Sequence, residues 1–115
     1  MSNAAIDLAT FEELKATAGS EFVRELVDTF LTEAPAMLED LRSARAANDA
    51  DRFRRAAHSL KSNSNTFGAL ELAAMARKLE LEGLGLAREG GGASLDALAL
   101  EYARVTVALQ ELKRA

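Results

Sequence analysis

The strongest constraint in this chain is the spacing of apolar residues between Phe53 and Phe67. Phe53, Ala56, Ala57, Leu60, Ser64 and Phe67, counting the small Ser64 among them, recur at i, i+3, i+4 and i+7. That period belongs to a helix with one buried face. At roughly 100° per residue the six positions fall within about 60° of one direction. His58, the one histidine of the chain, lies roughly 140° from Phe53, on the opposite side. A lone reactive side chain is thus expected on the wet face of a helix whose other face builds a core.

A length of 115 residues is enough for one domain with a real core and too short for two. Apolar residues make up 49% of the chain, which sets it apart from disordered sequences. A single proline and few β-branched residues, against abundant Ala, Leu, Glu and Arg, point to an all-α chain. The absence of cysteine removes any disulfide framework, thiolate metal site or thiol nucleophile. It also fits a cytoplasmic setting, either free or within a larger membrane-anchored sensor protein. No apolar run approaches the roughly 20 residues of a membrane span. A net charge of −4 argues against a nucleic-acid partner. The charge is uneven: Arg52, Arg54, Arg55 and Lys61 surround His58, whereas Glu12, Glu13, Glu21, Glu25, Glu33, Glu39 and Asp40 lie upstream.

Residues 1–6 lack periodicity and are set aside as disordered or tag-derived, leaving a single domain over 7–115. Asp7 or Thr10 can cap a short first helix carrying Phe11 and Leu14, with Glu12 and Glu13 in its first turn. Gly19 stops it and Ser20 caps the next. The second helix keeps a stripe of Phe22, Leu26, Phe30, Met37, Leu41 and Ala44 as far as about Asn48. Pro35 interrupts it, at a normal cost of about 3 kcal/mol. The stripe resumes in phase, so one bent helix is expected. Residues 48–51 form a turn and cap before the third helix, which runs to about Phe67 with Gly68 at C′. The fourth helix buries Leu72, Ala76, Leu79, Gly83 and Leu86, its glycines marking close packing or early fraying. Gly90, Gly91 and Gly92 form a loop, and Ser94 caps a last helix with Leu98, Tyr102, Val105, Leu109 and Leu112 inside. Short connections predict an antiparallel up-down four-helix bundle with a short extra N-terminal helix.

Several readings of His58 compete. It can be an ordinary surface histidine. A core role conflicts with its angular position. Metal ligation lacks a second His or Cys, and Lys61 and Ser62 occupy the i+3 and i+4 positions. The remaining reading is a nucleophilic imidazole that takes and releases a phosphoryl group. Arg54, Arg55 and Lys61, at i−4, i−3 and i+3, are its helix-surface neighbours and could balance that charge. Such cations would also keep the ring neutral near pH 7. Arg52 reads as part of a solvated face. The run Ser62-Asn63-Ser64-Asn65-Thr66 consists of mediocre helix formers, costing roughly 2 kcal/mol together relative to alanine. Either the helix frays there, or small side chains leave room for another protein to approach.

His58-Ser59-Leu60-Lys61-Ser62 followed by Phe67-Gly68-Ala69 resembles the signature of histidine-containing phosphotransfer (HPt) domains, His-x-Leu-Lys-Gly and then Gly-Ala. Ser62 departs from the glycine often found there, but remains small. The resemblance implies a phosphorelay intermediate, with His58 phosphorylated on the ring nitrogen distal to the backbone and Lys61 interacting with the phosphoryl group. Arg54, Arg55, Ser62, Asn65 and Gly68 would serve partner binding, Gly68 by ending the helix tightly. The implied partners are receiver domains of a hybrid sensor kinase or response regulator, with Mg²⁺ on the receiver. No cofactor, no autonomous kinase activity, no direct membrane contact and a monomeric state are expected of this chain. Gly90-Gly91-Gly92 lacks a following Lys-Ser/Thr and a preceding strand, so it is no nucleotide loop. Two alternatives remain. One is a non-catalytic helical adaptor. The other is a histidine-kinase dimerisation domain, disfavoured because Ser59 follows His58 and Asn63 stands where that pattern has proline.

Overall fold

The computed structural model of the chain describes residues 5–89 and 93–114. Among these residues the fold is all-helical: α1 (Leu8–Ala18), α2 (Ser20–Ala47), α3 (Ala50–Phe67), α4 (Leu70–Glu89) and α5 (Ala93–Arg114). The helices pack as a bundle in which α3 lies against both α2 and α4, and α5 against both α2 and α4. None of the described helices is long and apolar enough to cross a membrane.

The apolar spacing between Phe53 and Phe67 describes α3 well. Phe53, Ala56, Ala57, Leu60, Ser64 and Phe67 are all buried, and each large apolar side chain among them contributes about 1.5–3 kcal/mol. Asp49 caps the helix by accepting from Arg52 N at 3.1 Å. At the far end Gly68 takes φ 82°, with Gly68 N–H donating to Asn65 O and Ala69 N–H to Ser64 O. That pair of bonds is a Schellman motif. The helix therefore holds through its polar run rather than fraying. Asn63 Nδ2 donates to Ser59 O at 3.0 Å and Thr66 Oγ1 to Ser62 O at 3.1 Å, so two polar side chains bond back to their own helix.

Helix α2 passes through Pro35 without interruption. A proline there deprives Leu31 O, four residues earlier, of its usual N–H donor. The Tyr102 hydroxyl reaches that carbonyl at 3.5 Å from α5. The Tyr102 ring lies edge-on to Phe30, with centroids 5.9 Å apart, and Phe30 also meets Phe67 at 5.4 Å. Phe30 thus joins α2, α3 and α5. The inner stripe differs in one respect from the expected one. Phe22 is exposed, and Val23, Val27, Phe30, Ala34, Leu41 and Ala44 carry the burial, with Leu26 and Met37 at its margin.

Local caps account for most other differences. Asp7, not Thr10, caps α1, accepting from Thr10 N and from Thr10 Oγ1 at 2.6 Å; Glu12 and Glu13 therefore fall beyond the first turn. Ser20 is the first residue of α2 rather than its cap. Gly19, at φ 96°, ends α1 and starts α2 with no side-chain cap, because one glycine in that conformation turns the chain by itself. Helix α5 already includes Ala93, so Ser94 lies inside it. In α4, Gly83 breaks helical geometry at φ 71° and ψ −160°, and Leu84 takes the buried place. A Cβ on Gly83 would meet nothing within 4 Å, so conformation, not close packing, explains this glycine. The Leu86 side chain and the Gly90–Gly92 loop lie outside the described residues. Ala5 and Ile6 are buried in the core, so packing begins two residues before the expected boundary at Asp7. Asp7 N–H donates to Gly68 O at 2.7 Å, fastening this segment to the end of α3.

Candidate functional site

His58 stands on the outer face of α3 with its side chain 57% exposed. One turn on, Lys61 lies on the α4 side of the same face. Opposite both is Glu80, carried by α4 just after the buried Leu79. Glu80 Oε2 lies 2.8 Å from His58 Nδ1, and Oε1 lies 2.9 Å from Lys61 Nζ. A single carboxylate therefore bridges the two side chains that the sequence motif supplies. Both partners are less exposed than the ring, Lys61 at 25% and Glu80 at 19%.

The electrostatics follow from this bridge. The Lys61 ammonium, hydrogen-bonded to Glu80, holds its carboxyl below the usual carboxylate range. Partial burial opposes that shift, and His58 adds to it. Glu80 is then ionised near neutral pH and can only accept hydrogen bonds. Its contact with Nδ1 assigns the ring proton to that nitrogen and leaves the lone pair on Nε2. An imidazole in this tautomer presents its basic nitrogen away from α4.

The arginines are placed differently from the expectation of a cationic shell. Arg54 Nη2 and Arg55 Nη1 each lie 2.6 Å from Asp51, one on each carboxylate oxygen. Arg52 crosses to α2 and meets Asp40 at 2.8 Å, tying the two helices together rather than lying free on a solvated face. With Glu80 on the ring and Asp51 on the arginines, carboxylates offset the cations around His58. Arg54 and Arg55 nevertheless line, with His58, Ser59 and Glu80, a depression of about 300 Å³. Ser62 and Asn65 are exposed, whereas Gly68 is buried against α1 at the end of the helix. No three metal-ligating side chains converge among the described residues.

Glu80 is the residue that sequence reasoning missed. Two signals pointed to it. Lys61 has no acidic residue at i±3 or i±4 on its own helix, and Glu80 borders the buried line of Leu72, Ala76 and Leu79. Neither signal says which acidic residue of the neighbouring helix lies level with His58.

An exposed histidine backed by a carboxylate and a lysine, on the surface of an all-α bundle, is suited to carrying a phosphoryl group. The family model of the Hpt domain matches residues 25–115. The chain belongs to that family, and its role is that of a histidine phosphotransfer intermediate in a phosphorelay. Among solved structures it is similar to the histidine-containing phosphotransfer protein B (HptB) of Pseudomonas aeruginosa PAO1. The two share 28% sequence identity and a TM-score of 0.83 over 98% of this chain and 97% of that one. No curated protein matches the chain.

Proposed function

We propose that His58 accepts the phosphoryl group at Nε2 from an aspartyl phosphate of one receiver domain and passes it to an aspartate of another. The observation that carries this reading is the bridge of Glu80 to His58 Nδ1 and Lys61 Nζ beneath an exposed ring. In the accepting step the Nε2 lone pair attacks phosphorus. The N–P bond forms as the P–O bond to the receiver aspartate breaks, and the aspartate leaves as a carboxylate. Nδ1 keeps its proton throughout, so the ring becomes cationic and Glu80 stabilises it at 2.8 Å. The return step runs the same path backwards. Lys61, next to the ring, is within reach of the incoming phosphoryl oxygens.

The small exposed side chains of Ser59 and Ser62 leave the ring open to a receiver, which supplies Mg²⁺ and the rest of the active site. Arg54, Arg55 and Asn65 flank the same face and would meet its rim. The donors and acceptors are receiver domains of a hybrid sensor kinase or response regulator, and the chain works as a cytoplasmic monomer. Short connections α1–α2, α2–α3 and α3–α4 support an antiparallel up-down arrangement of α2 to α5, with α1 as the short extra helix. A non-catalytic adaptor would have no use for a carboxylate fixed on a surface histidine.

The test is transfer from a receiver domain charged by a small phosphodonor. Wild type should gain an acid-labile, alkali-stable label and His58→Gln none. Equal labelling of the two, or no label on wild type, sinks the reading.

A further inference from the structure

We propose that Asp51 is a positioning residue that withholds Arg54 and Arg55 from the phosphoryl group on His58, keeping that group transferable. The inference rests on the phosphotransfer reading above. Asp51 lies seven residues before His58 on α3, two turns away on nearly the same face, about 20° round the axis and about 10 Å along it. Arg54 and Arg55 sit between them. Helical side chains lean toward the N-terminus, and both guanidinium groups follow that lean to Asp51, at 2.6 Å each. Both oxygens of one carboxylate are thereby used, and neither guanidinium is directed to the ring.

The consequence is a matter of charge. Arg54 and Arg55 line a depression with His58, Ser59 and Glu80, so a phosphoryl group on the ring would lie beside both arginines. Two free guanidinium groups there would hold its oxygens with paired, charge-assisted hydrogen bonds. That would deepen the phosphohistidine state and oppose release to the next aspartate. Asp51 competes for the same donors, so the phosphorylated state gains them only by giving up two existing ion pairs. All three side chains are more than half exposed. Water screens such pairs, and the effect is a tuning of severalfold rather than a switch.

The experiment measures the equilibrium between phosphorylated His58 and a phosphorylated receiver domain, in wild type, Asp51→Asn, Arg54→Gln/Arg55→Gln and the triple variant. Circular dichroism of each variant confirms that α3 remains folded. Asp51→Asn should shift the balance toward phosphohistidine by about threefold, and the shift should be clearly smaller when the same change is made in the Arg54→Gln/Arg55→Gln background. Removing a nearby negative charge would by itself favour the phosphoryl group with or without the arginines. A shift of equal size in both backgrounds therefore overturns the inference, as does no shift at all. Failure of wild type to take label overturns the phosphotransfer reading and this inference with it. Normal labelling with equal shifts overturns the inference alone.

Discussion

Glu80 holds His58 and Lys61 at once, so its chemistry sets the site residue by residue. Replacing it with glutamine keeps an acceptor for Nδ1–H but removes the negative charge that balances a cationic ring. A charge-assisted hydrogen bond is worth about 1–2 kcal/mol more than a neutral one, so Glu80→Gln should slow transfer about tenfold in a rapid-quench assay. Unchanged rates would make Glu80 a structural residue. The same carboxyl carries a pH signature. A group whose pKa is lower folded than unfolded adds stability that is complete above its unfolded pKa and lost as pH falls through the folded one. Glu80 lies below its ordinary value of 4.5, chiefly through Lys61. Its contribution is therefore present above about pH 4.5 and disappears beneath it. In Glu80→Gln the stability difference from wild type should shrink as pH falls through that range in chemical denaturation.

At the scale of the helix, the ends decide how firmly the site is held. Gly68 is in the left-handed region at φ 82°, and a Cβ there would lie 2.9 Å from both Asp7 O and Thr10 Cβ. Gly83 shares the positive φ but has open space around it. The left-handed conformation alone costs an alanine about 1–2 kcal/mol, and the contact with backbone adds to it. Gly68→Ala should therefore lose about 3 kcal/mol by urea unfolding; a loss under about 1 kcal/mol would mean that neither the conformation nor the contact constrains Gly68. The helix containing His58 was fully legible in the sequence, because six apolar positions and a C′ glycine agreed. Helix α2 was legible in extent but not in facing. Its apolar residues are dense enough that Phe22 and Val23 each start a plausible stripe, and burial of Val23 and Val27 decided between them. The tolerance of Pro35 was invisible locally, since Tyr102, which reaches the freed carbonyl, is 71 residues from Leu31.

Across the whole molecule, what sequence could not show is what the packing brings together. Ala5 and Ile6 form no periodic pattern, yet both are buried, because Asp7 N–H is fixed on Gly68 O. Glu80 joins His58 across 22 residues, and nothing in either stretch alone announces the pair. On the proposed function, the exposed face of α3 opposite the core is where a receiver docks. Ser62 lies on it about 40° from His58 around α3. Ser62→Arg should obstruct a docking receiver and reduce transfer by more than tenfold, with circular dichroism unchanged. Normal transfer in that variant would mean that partners approach from another direction.

If Glu80 fixes the proton on Nδ1, it directs the phosphoryl group to Nε2. The most direct measurement is ¹⁵N and ³¹P NMR of the phosphorylated protein labelled in the ring of its single histidine. Phosphorus bonded to Nε2 and a proton retained on Nδ1 are expected. Phosphorus on Nδ1, or on any residue other than His58, would contradict this assignment.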